Sequence, residues 1–116
     1  MNEVFDELKI ILSSHSSKMV VVKDEPGYYY LDTKKTDAKG KPIFFGMVKS
    51  GAKKVSYHLM PVYCEPSLLE TISPELKKRM QGKSCFNFAK VQAELFEELK
   101  ALTKLGVKSF KAAGKI

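Results

Sequence analysis

Apolar residues recur at helical spacing near both ends of this chain, and between those stretches they alternate. Val4, Phe5, Leu8, Ile11 and Leu12 return every three or four positions, which predicts an amphipathic helix over residues 2–14 with one buried stripe. Asn2 stands where an N-cap is expected, and Glu3, Asp6 and Glu7 suit the positive end of the helix dipole. Four serines, at 13, 14, 16 and 17, then break the pattern. Val91, Leu95, Phe96, Leu99 and Leu102 define a second amphipathic helix. Gly106 is expected to interrupt it, leaving a last short helix over 107–113 that carries Phe110.

The middle of the chain reads as strands. Met19 to Lys23 is β-branched, and Asp24-Glu25-Pro26-Gly27 is a turn signal, Pro26 fixing one backbone angle and Gly27 permitting the next. Tyr28 to Thr33 forms a second strand, with Tyr28 and Tyr30 facing one way and Tyr29 the other. The charged segment 34–41 makes a hairpin tip in which Gly40 can take a positive φ, and the residues after Pro42 make a third strand that turns at Ser50-Gly51-Ala52. Lys54 to Met60 is the fourth, with Val55, Tyr57 and Leu59 opposed to Ser56, His58 and Met60. Pro61 ends it, because proline has no donor for the ladder. A turn or two of helix is expected over 66–72. Ser73-Pro74-Glu75 gives an N-cap and a first-turn proline for a two-turn helix closed by Gly82, with Leu76 and Met80 inward. Ser84 to Phe88 is a fifth strand, alternating Cys85 and Asn87 against Phe86 and Phe88. The expectation is one α+β domain over residues 1–116. An antiparallel sheet of about five strands is packed by an N-terminal helix and C-terminal helices.

Composition adds limits more than identity. A chain of 116 residues, 44% apolar and 28% charged, suffices for one core without disulfides or a structural metal. No apolar run approaches the roughly 20 residues that a spanning helix needs. The N-terminus places acids before its apolar residues, unlike a secretory signal, and no lipidation motif is visible, so the cytoplasm is the default location. Cys64 and Cys85 are too few and too far apart for a disulfide framework.

The net charge of +7 is uneven. Segments 34–54, 77–90 and 100–115 are strongly basic, while acids gather at the N-terminus, at Asp24 and Glu25, and at Glu94, Glu97 and Glu98. A basic excess favours polyanions and also keeps a small protein soluble. Nineteen lysines stand against one arginine, Arg79, and phosphate readers commonly use arginine forks, so solubility is the stronger reading of the bulk charge.

Candidate chemistry is sparse. His15, His58, Cys64 and Cys85 are the soft ligands, and none are paired at zinc-site spacing. His58 and Cys64 flank a turn, yet a strand histidine and a turn cysteine are more often packing residues, and Cys85 on its short strand is expected to be buried and inert. No nucleophile elbow, P-loop or dinucleotide fingerprint is present, so no enzymatic activity, catalytic residue or cofactor is expected. Two surfaces remain. Tyr57, His58, Tyr63, Lys83 and Phe86 are the candidate lining of a polar-tipped ligand or protein site. Lys77, Lys78, Arg79 and Lys83 are a candidate anion or nucleic-acid site, although lysines in the last helical turn also complement the helix dipole.

The run Lys53-Lys54-Val55-Ser56-Tyr57, then Pro74-Glu75-Leu76-Lys77, then Gly82-Lys83-Ser84-Cys85-Phe86-Asn87-Phe88 and the helix after Val91 resembles the YdhG-like superfamily of small bacterial domains, mostly of unknown function. The resemblance spans roughly residues 43–110 and implies an antiparallel sheet packed by helices. None of its motifs is catalytic. Some relatives carry a frataxin-like, iron-delivery label, which here would fall to Glu94, Glu97 and Glu98 with His58; iron delivery favours clustered carboxylates, and this chain is basic. The reading that results is a non-enzymatic module binding a small ligand or a protein, with an anionic or nucleic-acid ligand as the alternative and iron handling behind both.

Overall fold

The computed structural model describes residues 2–116, the side chain of Asn2 excepted, so the cap expected there lies outside the described residues. The elements are α1 (Asn2–Ser13), β1 (Met19–Glu25), β2 (Tyr28–Thr36), β3 (Pro42–Ser50), β4 (Val55–Leu59), α2 (Met60–Cys64), α3 (Pro74–Lys77), β5 (Met80–Gln81), β6 (Cys85–Phe88) and α4 (Ala93–Ala112). Short 3₁₀ turns occupy Ser16–Lys18 and Pro66–Thr71. The fold is α+β. Six strands form one sheet in the order β1-β2-β3-β4-β6-β5, every pair antiparallel.

The sixth strand corrects the expected helix over 74–82. Ser73 caps that helix as expected, its hydroxyl accepting from the Leu76 N–H, but the helix closes after one turn and Met80-Gln81 extend beside β6. Gly82, at φ +80°, therefore turns a hairpin and does not end a helix. Leu76 still reaches the core from this single turn.

Gly106 is the second correction. It does not interrupt α4, which runs unbroken for 20 residues. A Cβ at Gly106 would sit 3.0 Å from the Pro61 ring, so the missing side chain brings α4 down onto α2. Pro61 in turn stands in the first turn of α2, where its absent N–H costs no ladder bond.

α1 and α4 lie on the same side of the sheet. Leu8 and Leu12 from α1, and Leu99, Leu102 and Phe110 from α4, meet the inward side chains Leu31, Phe45, Val48, Val55, Tyr57, Leu59, Phe86 and Phe88 in one core. A bulge in β3 sets both Phe45 and Gly46 against Leu31, so two consecutive residues point inward. Phe45 packs edge-to-face on Phe110, and Gly46 leaves room for Leu12. Among the described residues no helix is long and apolar enough to cross a membrane.

Candidate functional site

Because strand side chains alternate, packing every helix on one side leaves the other side of the sheet without a helical cover. The register defines that face. One row crosses all six strands as Lys23, Tyr30, Met47, His58, Cys85 and Gln81, and the next reads Glu25, Tyr28, Lys49, Ser56 and Asn87. Asp32 and Phe44 form a third pair.

The aromatic half lies on β2, β3 and β4. Tyr28 and Tyr30 meet edge-to-face at 6.2 Å, Tyr30 and Phe44 lie tilted at 4.8 Å, and Phe44 meets His58 edge-to-face at 5.1 Å. Mutual contact half-buries these rings although no helix among the described residues lies over them. The ammonium groups of Lys23 and Lys49 approach the Tyr28 ring at 5.8 and 5.1 Å, so cations flank the row. Lys23 also pairs with Glu25 at 3.4 Å.

The other half is polar. The Ser56 hydroxyl donates to Asn87 Oδ1 at 2.7 Å, Asn87 Nδ2 donates to Gln81 Oε1 at 3.0 Å, and Lys54 Nζ donates to the same Gln81 oxygen at 2.9 Å. Lys54, Lys78 and Arg79 then line, with Gln81 and Asn87, a shallow groove of about 370 Å³ at the β5 edge.

Burial tunes the titratable groups of this face. His58 holds its proton less readily than a free imidazole because it is partly desolvated; its Nε2 shares a 2.6 Å hydrogen bond with the buried Ser84 hydroxyl. Desolvation also raises the Asp32 carboxyl, and it raises the Tyr30 phenol with a smaller push from the Asp32 charge. The Asp32 carboxylate makes no hydrogen bond or ion pair among the described residues.

The residues named from sequence divide among these places. Tyr57 and Phe86 are wholly buried on the covered side, which corrects their placement in a ligand site. The Tyr57 hydroxyl donates at 2.6 Å to Thr103, which itself donates to the Leu99 carbonyl at 2.7 Å; burial, only partly offset by that bond, pushes the phenol far up. His58 lies on the opposite face. Tyr63 and Lys83 do meet, the ammonium 6.0 Å from the ring centre, although away from Tyr57. Of the basic cluster, Lys78 and Arg79 share the groove, joined by Lys54; Lys77 and Lys83 lie outside it.

Cys85 is not buried as expected: it is partly exposed on the uncovered face, on β6 beside the edge strand β5. The carboxylate trio does not converge with His58, since Glu98 is occupied on α4. Its two oxygens accept from the Ser73 N–H and hydroxyl, each at 2.7 Å, fastening α3 to α4. Among the described residues no three His, Cys, Asp or Glu side chains gather to hold a metal.

Sequence reading missed Phe44, Lys49, Gln81 and Asn87 as members of one surface. The alternation in each strand was the available signal, and the strand register was what it lacked. No family model, curated protein or solved structure matches the chain.

Proposed function

We propose that this chain is a non-catalytic binding module whose working surface is the uncovered face of its sheet. The observation that carries the reading is the row Tyr28, Tyr30, Phe44 and His58, clustered on a face over which no helix packs among the described residues. A half-exposed aromatic cluster spanning three strands, rimmed by cations, is the kind of surface that soluble domains expose where a partner covers it. The wide and shallow shape of this face favours a partner that lies across it over a small molecule enclosed in a cavity. The YdhG-like resemblance accords with this reading, because its motifs supply two strands of the face, β4 and β6, and no catalytic group. Iron handling finds less support, since its candidate ligands lie on opposite sides of the sheet.

Cys85 offers the test, because it sits within the face while Cys64 lies beyond it. Thiol labelling of the two cysteines is followed in fractions of a cell extract. A partner on the face slows labelling of Cys85 and leaves Cys64 unchanged. Equal rates in every fraction, or protection of Cys64 alone, contradict the proposal.

A further inference from the structure

Resting on that reading of the working surface, we infer that the partner is single-stranded nucleic acid, its bases laid on the aromatic row and its phosphates along the flanking cations. Two independent features of the face converge on this chemistry. Base stacking requires accessible aromatic rings on a flat support, and Tyr28, Tyr30 and Phe44 lie on adjacent strands of one sheet. Backbone tracking requires cations on both sides of such a platform. Lys23 and Lys49 lie at the Tyr28 end, and Lys54, Lys78 and Arg79 border the groove at the β5 edge. Between these ends the face carries Met47, His58, Ser56, Asn87 and Cys85, with no carboxylate among them.

Two carboxylates share the face. Glu25 is held by Lys23, and the Asp32 carboxylate stands beside Phe44 with no ion pair or hydrogen bond among the described residues. A lone carboxylate repels phosphate but accepts from an exocyclic amine, as acidic side chains do from cytosine N4. Asp32 therefore turns the base edge towards itself and the backbone towards the lysines, and it selects amine-bearing bases over thymine. A duplex presents phosphates but hides its base faces, so it satisfies the rim alone.

The test is fluorescence anisotropy of labelled twelve-nucleotide oligo-dC, oligo-dT and a duplex of equal length, over a range of salt. The expected result is binding of oligo-dC above oligo-dT and duplex. The log–log salt slope is about −2 to −3.5, since three to five phosphate contacts on a single strand each contribute about −0.7. Tyr30→Leu and Phe44→Leu, checked for an unchanged fold by circular dichroism, each lower affinity about tenfold by removing a stacking face. Lys54→Ala and Arg79→Ala each reduce the slope by about 0.7. Asp32→Asn raises affinity for oligo-dT and narrows its gap to oligo-dC. Lys104→Ala with Lys108→Ala, on the exposed side of α4, leaves affinity for single strands within twofold.

Duplex bound as tightly as single strand, or affinity lost in the α4 variant and kept in the Tyr30 and Phe44 variants, overturns the inference. Labelling of Cys85 separates its failure from that of the underlying reading. Absent oligonucleotide binding with Cys85 still protected in an extract fraction overturns nucleic acid as the partner and leaves the surface standing. Oligonucleotide binding that leaves Cys85 labelling unchanged overturns the placement on this face.

Discussion

Tyr57 and His58 are neighbours in sequence and stand on opposite sides of the sheet, and what surrounds each differs in kind. On the covered side Tyr57 has no exposed surface, its hydroxyl is satisfied by Thr103, and Val55, Leu59 and Phe86 pack around it. On the other side His58 touches Phe44, shares a hydrogen bond with Ser84, and remains partly open to water. The covered face shows apolar area removed from solvent with its polar groups paired, the pattern that stabilises a fold. The uncovered face holds a comparable run of rings at only partial burial, with an unpaired carboxylate among them. Folding is served poorly by such a face, and that imbalance is what supports the proposal that it serves recognition.

Substitutions on the covered side should break the fold. Gly46→Ala is expected to cost most, about 3 kcal/mol, at the top of the usual overpacking range. The new Cβ would lie 2.8 Å from the His58 carbonyl oxygen, which is backbone and cannot swing aside, and 3.1 Å from Leu12. Urea denaturation measures this loss. Thr103→Val keeps the volume but strips Tyr57 of its acceptor, and a buried hydroxyl left unpaired costs about 2 kcal/mol. Tyr57→Phe should cost less, about 1 kcal/mol, because Thr103 keeps its bond to Leu99.

Acidification sharpens the comparison from the other side. His58 and His15 both have folded pKa values below the free value, His58 through desolvation, His15 through desolvation and then the charges of Lys18 and Lys104. The unfolded chain then binds protons first, so stability is fully present above the ordinary histidine pKa and declines as pH falls through the histidine range. Asp32 acts oppositely and at lower pH, because its raised carboxyl gives the folded state the extra proton in the carboxylate range. Melting temperatures across this range should fall for the native chain and fall less for His58→Gln. The smallest expected change is in Phe44→Leu, within about 1 kcal/mol of the native stability, since a volume-reducing but apolar swap on a half-exposed site leaves no buried void.

The fold was legible where local pattern and tertiary packing agree. The stripe of α1, the turn at Pro26-Gly27 and the alternation in β4 each follow from spacing alone, and the structure contains them. Gly106 misled because helix propensity speaks only of an isolated helix, whereas here a close approach to Pro61 outweighs its cost. Met80-Gln81 misled because an edge strand of two residues depends on pairing with β6, a contact that no local signal encodes. The candidate site was legible by halves. Alternation separates Ser56 and His58 from Tyr57, and Cys85 and Asn87 from Phe86, yet it does not say which set the helices will cover. That choice, made by the stripes of α1 and α4, sends Tyr57 and Phe86 inward. It leaves His58 and Cys85 outside, in register with residues far away in sequence such as Lys23 and Tyr30.

The most direct test of the division between the two faces is an amide chemical-shift map of the isotope-labelled protein titrated with oligo-dC. The account predicts shifts concentrated at outward positions of β2, β3, β4 and β6, including Tyr30, Phe44, Met47, His58 and Asn87, with α1 and α4 nearly still. Shifts centred on the helical side, along Lys100, Lys104 and Lys108 or in the groove between Ile10 and Phe96, would contradict it.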